Sequence, residues 1–213
     1  MTAPHPTSPH PTSPDPTSPD PTSPPPVDPP PTALHQDAVE VLTAWAGSGV
    51  SKDQQSLAEA YMALLAARSD AMWRSCAPGH LTASTLVLSA DRSATLLTLH
   101  PRVGQWLQLG GHCEPGDPTL LAAALREATE ESGIDGLEID PVPVRLDVHG
   151  LTCSLGQPTR HLDVQYRAYA PHGAVAQITA ESDDLAWHPV DALPGAADRS
   201  VRILVEEALK RNF

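Results

Sequence analysis

The chain has 213 residues, enough for one domain of ordinary size with an appendage. Its 13 Lys and Arg against 26 Asp and Glu leave a formal net charge of −13. That balance argues against affinity built on neutralising many nucleic-acid phosphates, and against attachment to an anionic membrane surface. A small anionic substrate stays compatible with it where a metal ion supplies the positive charge.

Cys76, Cys113 and Cys153 are odd in number, widely spaced and without a CxxC pair, so neither a disulfide framework nor a zinc knuckle is indicated. No apolar run approaches the roughly 20 residues that span a bilayer. The first residues lack the basic start and apolar stretch of a signal peptide. Reduced thiols and a cytoplasmic location are the expectation.

Residues 1–32 are almost all Pro, Thr, Ser, His and Asp, with TSPxP repeated in tandem from Thr7 and His10, Asp15 and Asp20 in the variable slot. Proline at this density removes backbone donors and favours an extended conformation, and no side chain here builds a core. A disordered tail is expected, with a docking or phosphorylated segment as the alternative that its Ser-Pro pairs suggest.

Composition changes at Ala33. Leu34, Ala38, Val41, Leu42 and Trp45 follow one helical face, and Gly47 and Gly49 stop it. Ser51 and Gln54 have the spacing of a capping box, after which Leu57, Tyr61, Leu64 and Leu65 form a second stripe. Residues 33–75 are thus read as a helical hairpin whose stripes need a partner. Packing on residues 76–213 is the plain expectation; a homodimer contact or a lid over a site is the sharper one.

From Leu81 the period changes. Leu81–Ser89 and Ala94–His100 read as a hairpin turning at 90–93, and Gln105–Leu109 as a short strand running into a glycine loop. Residues 142–148 and 162–168 alternate apolar with polar side chains, as half-buried strands do. A last helix begins near Ala197, with Val201, Leu204, Val205 and Ala208 inward. The order implies an α/β (α+β) fold, a mixed sheet sandwiched between helices.

Between these strands lies GGHCEPGDPTLLAAALREATEESGI, Gly110 to Ile134. On a helix Glu127, Glu130 and Glu131 share one face, while Leu121, Leu125 and Ala128 line another with Ala124 beside it. Asp117 and Pro118 have the chemistry of an N-cap and first turn. Arg126 can reach Glu130, which fixes one acid without neutralising the group. Clustered carboxylates suit hard divalent cations such as Mg²⁺ or Mn²⁺, although a solvated surface face would carry the same residues.

This stretch resembles the Nudix box, G-x5-E-x7-R-E-U-x-E-E-x-G-U with U aliphatic. Gly111 fills the first glycine, Arg126-Glu127-Ala128 fills R-E-U, Glu130-Glu131 the acidic pair, and Ser132-Gly133-Ile134 the close; Glu114 and Gly116 fit the common GGxxExG start. Two departures stand out. Asp117 replaces the usual glutamate, and eight residues rather than seven separate it from Arg126. A loop absorbs an added residue, whereas one inside the helix would turn the acids apart by about 100°.

The resemblance implies a Nudix-type fold and hydrolysis of a pyrophosphate bond in a nucleoside diphosphate linked to another moiety, with Mg²⁺ or Mn²⁺. Candidate substrates include a nucleoside triphosphate, nucleotide sugar or ADP-ribose. It implies Glu127, Glu130 and Glu131, with the Gly111 carbonyl, as metal ligands, Glu114 as a further one, and Arg126 as the residue orienting the acids. Glu127, Glu130 or a downstream acid would be the general base; Glu181 is the downstream candidate, with Asp183 and Asp184 its neighbours. His112 would touch phosphate, and His149, His161 and Asp163 base or sugar. Trp106 would stack on a base or pack in the core, and Cys113 is read as a small filler. A non-catalytic nucleotide sensor is the alternative; an isomerase using Cys76 fits the intact acidic box poorly. Deleting residues 1–32 is expected to leave the unfolding midpoint unchanged in thermal denaturation, and a large loss would show that the tail packs on the fold.

Overall fold

The computed structural model describes residues 31–152, 156, 158–179 and 182–210, so the expectations for the tail, Cys153 and Glu181 lie outside the described residues. α1 (Ala33–Gly47) starts at Thr32, whose hydroxyl accepts from the His35 amide at 3.2 Å; α2 (Lys52–Ala67) starts at Ser51, which accepts from the Gln54 amide at 3.4 Å. The expected capping box is half realised. The Gln54 side chain reaches away and accepts from the Leu146 amide at 2.7 Å while donating to the Leu146 carbonyl at 3.0 Å. Tyr61 donates its hydroxyl to the Asp147 carbonyl. Leu34, Ala38, Leu42, Trp45, Ala58, Tyr61 and Leu65 share one core cluster with Leu81, Ala83, Leu146 and Val164. The hairpin's stripes are therefore spent on this chain's own sheet. His35, which the apolar pattern passed over, is buried on the same face, its ring nitrogen 3.0 Å from the Leu65 carbonyl.

One sheet contains β1 (His80–Leu88), β2 (Ala94–His100), β3 (Gln105–Leu107), β4 (Leu109–His112), β5 (Glu138–Ile139), β6 (Arg145–Thr152), β7 (Pro158–Tyr169) and β8 (Asp184–Pro189). β1 pairs in parallel with β7 along its whole length, and the other strand pairs are antiparallel. The other edge of β1 is divided. Thr82–Thr85 pair with β4, while Val87 and Leu88 pair with β2. Alternation along β1 then sorts the core. Leu81 and Ala83 pack with α1, α2 and α3 (Leu120–Ser132), and Val87 with Ala128 of α3. Leu86 and Leu88 pack on the opposite face with Val201, Leu204 and Val205 of α4 (Arg199–Lys210). The sheet is sandwiched between helices, as the order of elements implied.

Two boundaries and two burial assignments differ from the sequence pattern. Gln105–Leu109 and the glycine loop are in fact two strands, since Gly110 and Gly111 belong to β4. A Cβ at Gly110 would stand 2.4 Å from the Ser84 Cβ, and its φ is +147°, so only glycine lets β4 lie against β1 there. β6 begins at Arg145 rather than Val142, because Pro141 and Pro143 interrupt pairing and the Val142 amide is taken by Asp140 at 3.0 Å. On α3 the buried side is Leu120, Ala123, Ala124 and Ala128, with Leu121 and Leu125 only partly covered; small alanines let the helix lie close to the sheet. Arg167, read as a polar-face residue, is 1% exposed: it pairs with Asp140 at 2.9 Å and donates to the Ala208 carbonyl of α4 at 2.6 Å.

Gln54→Ala strips both partners from the Leu146 backbone. It is expected to lower stability by about 1–3 kcal/mol in urea unfolding, the cost of leaving a partly buried amide and carbonyl unpaired.

Candidate active site

α3 is set in place from three sides. Thr119 is its N-cap, accepting from the Ala122 amide at 3.0 Å; Asp37 of α1 accepts from the Leu120 amide at 2.7 Å, a carboxylate at the positive end of the helix. Thr85 of β1 donates to the Ala124 carbonyl at 3.1 Å. Gly133 closes the helix at φ +64°, its amide bonded to the Thr129 carbonyl at 2.9 Å, the left-handed cap that glycine adopts without strain.

Asp117 is not the N-cap. With one residue more before the helix, Thr119 takes that position and Asp117 turns back beneath the turn, where it is buried. It accepts from the Glu114 amide at 2.7 Å and from Arg126 Nε and Nη2 at 2.9 and 3.0 Å, a two-pronged carboxylate–guanidinium contact. Burial works against the Asp117 charge, but the Arg126 and Glu114 hydrogen bonds outweigh it and hold the carboxyl below its ordinary pKa. Arg126 donates further to the His112 carbonyl at 3.0 Å, Glu127 Oε1 at 3.0 Å and Glu130 Oε2 at 3.1 Å. Its hydrogen bonds to Asp117, partly opposed by burial and reinforced by the Glu127 charge, raise the guanidinium pKa further. One cation therefore ties the turn, β4 and two of the glutamates together.

The glutamates face β4. Glu131 Oε2 accepts from the Gly110 amide at 2.9 Å, and the Glu127 carboxylate fills the space where a Gly111 Cβ would be, 2.7 Å from that ideal position. Glu130 is 61% exposed at its side chain and extends outward. Glu114 is exposed, its backbone amide engaged with Asp117. The structure thus brings Gly111, Arg126, Glu127, Glu130 and Glu131 to one junction of β4 and α3. Two carboxylates against the glycines of β4, with Glu130 beside them, form an oxygen-rich donor set of the kind hard divalent cations take.

The remaining candidates lie elsewhere on the fold. Asp183 and Asp184 are exposed at the start of β8, paired beside Leu99 of β2. Trp106 packs into the α4 cluster, its ring edge-on to His188 with centroids 4.5 Å apart. Asp163 is buried and fully engaged: Thr82, Ser84, Gln108 and Gln165 all donate to its carboxylate at 2.7–3.3 Å. It braces the polar face of β1 and β7. His112 and His161 meet on that face with His80, a residue that sequence periodicity passed over because it precedes the apolar run. Burial, reinforced by neighbouring positive groups, holds His112 at a pKa of about 4 and His161 at about 3. His149 stands beside them, its ring 5.2 Å from His161, and its hydrogen bond to Asp147 raises its pKa. Burial pushes the Cys113 thiol up to about 12 and raises Cys76 as well, so neither is a poised nucleophile. A shallow depression of about 380 Å³ beside Arg92, Glu138, Tyr169 and His172, at the C-terminal end of β7, contains none of these carboxylates.

A mixed sheet between helices, with a glutamate-bearing helix docked on a glycine strand, is the architecture of a Nudix hydrolase. Residues 78–207 match the NUDIX domain model, and the chain belongs to the Nudix family. Among solved structures, a NUDIX-family hydrolase from Clostridium perfringens is similar at 24% identity, with 62% of this chain and 96% of that one covered and a TM-score of 0.47. The NUDIX domain of Shewanella oneidensis NrtR complexed with ADP ribose is similar at 22% identity, covering 62% and 86%, TM-score 0.47. A C. elegans Ap4A hydrolase is similar at 19% identity, covering 61% and 95%, TM-score 0.46. A search of curated proteins finds no match. No helix among the described residues is long and apolar enough to cross a membrane.

Asp117→Asn keeps the shape but removes the charge that anchors Arg126. It is expected to cost about 1–3 kcal/mol of stability in urea unfolding at neutral pH, with the loss larger than for Glu130→Gln on the exposed side of the same cation.

Proposed function

We propose that the chain hydrolyses a pyrophosphate bond in a nucleoside diphosphate linked to another moiety, and that the β4–α3 junction is where it does so. The observation that carries this reading is the seating of Glu127 and Glu131 against Gly111 and Gly110, with Arg126 joining Glu127 to Glu130. Glu127, Glu130, Glu131 and the Gly111 carbonyl would hold Mg²⁺ or Mn²⁺, with Glu114 a further oxygen donor from the adjacent turn. Such an ion neutralises pyrophosphate oxygens and lowers the pKa of a water near them. Arg126 sets the spacing of the acids. The proton leaving the attacking water goes to a carboxylate, either one of the α3 glutamates or an acid of residues 181–184. Nucleoside triphosphates and small diphosphate compounds are the substrate class favoured, because the sequence carries no signature for coenzyme A or a long dinucleotide chain.

A panel of nucleoside diphosphate compounds assayed with Mg²⁺ and with Mn²⁺ tests this. Release of phosphate, pyrophosphate or a nucleoside monophosphate should depend on the metal and disappear with chelator. Glu130→Gln/Glu131→Gln should lower kcat/KM by roughly 10²–10³-fold, the scale on which removal of a charge-stabilising group acts. Nucleotide binding without turnover of any compound would replace the hydrolase with a sensor.

A further inference from the structure

The face of the sheet opposite α3 carries a second cluster, built from other residues. His80 on β1, His112 on β4 and His161 on β7 come from three adjacent strands, with His80 directly opposite His161 and His112 opposite Thr82. Their ring centroids are 4.9–5.1 Å apart, and one ring nitrogen from each lies within 4.8 Å of the other two. Nε2 of all three is buried without a hydrogen-bond partner. His80 is fully buried, and an unpartnered nitrogen there is unfavourable unless something fills its lone pair.

The tautomer of His80 follows from its surroundings. Nδ1 lies 3.4 Å from the Cys76 carbonyl, which only accepts, so Nδ1 carries the proton and Nε2 carries the lone pair. This is how a metal-bound imidazole is oriented by its backbone partner. Zn–N bonds of about 2.0–2.1 Å set tetrahedral N···N separations of roughly 3.3 Å. The ligand nitrogens stand within 4.8 Å of one another, so the rings must draw together by up to about 1.5 Å to take that geometry.

We propose that His80, His112 and His161 form a binding site for a late first-row divalent ion of the Zn²⁺ class, separate from the carboxylates of α3. Three imidazoles select such ions, while Mg²⁺ takes oxygen ligands. Three protein ligands leave a fourth position for water or an oxygen of a bound molecule. The side chain of His112 belongs to this cluster while its carbonyl accepts from Arg126, so the two centres touch the same residue of β4. The site does not depend on the hydrolase reading, because its donors differ.

The test uses the full chain with His5→Gln/His10→Gln, which removes the tail histidines, in excess Mg²⁺. Co²⁺ should bind one per chain with the intense visible absorption of low-coordinate nitrogen ligation, and Zn²⁺ should displace it. His161→Gln should weaken Co²⁺ binding at least about 10–100-fold, whereas Glu130→Gln/Glu131→Gln should leave it intact. X-ray absorption on the Zn²⁺-loaded parent chain should show three imidazole nitrogens at about 2.0 Å, which settles the ligands even if a variant misfolds. An oxygen-only shell, binding abolished by Mg²⁺, or undiminished binding in a folded His161→Gln chain would overturn the site.

Discussion

The Arg126 guanidinium is the contact on which the rest of the site depends. Five donor contacts run from it to Asp117, the His112 carbonyl, Glu127 and Glu130, so a single cation joins the turn before α3, the strand beneath it and the acids above. Like charges one helical turn apart repel; a partly buried cation shared among them turns the repulsion into a fixed geometry. Lysine, a point charge, would not reach all of these partners at once. The glycines of β4 complete the arrangement by leaving room for the Glu127 carboxylate and a free amide for Glu131.

The N-terminal hairpin takes part in the same construction. Asp37 caps α3, and Gln54 and Tyr61 pin the backbone of β6, so the hairpin reaches both the acid-bearing helix and the edge of the sheet. On the opposite face, α4 covers the Leu86 and Leu88 end of β1 and leaves the His80, Thr82 and Ser84 end polar. Division of β1 between β2 and β4 sets Gly111 toward α3 and places His112 with the Asp163 network on the opposite face of the sheet.

Much of this was legible in the residues. The helices, the β1–β2 hairpin and the spacing of Arg126, Glu127, Glu130 and Glu131 all follow from period and pattern, because each depends on near neighbours in the chain. What escaped depends on distant partners. Asp117 has the local chemistry of an N-cap, and only the position of Arg126 nine residues on turns it into an ion-pair partner. Gly110 and Gly111 read as loop because two successive glycines have no apolar pattern; Ser84 on the neighbouring strand and Glu127 on α3 show why neither position carries a side chain. His80 was hidden for the same reason, since its partners His112 and His161 lie on other strands.

Arg126 fixes the α3 carboxylates as one face, the face proposed to bind a divalent cation. Mn²⁺ titration of the full chain, read by electron paramagnetic resonance, addresses it most directly when parent and Arg126→Gln are compared at equal folded fraction. Weakening of Mn²⁺ affinity by about 10–100-fold is the predicted result, the scale seen when a residue that orients metal ligands is removed. Unchanged affinity in a folded Arg126→Gln chain would contradict the account.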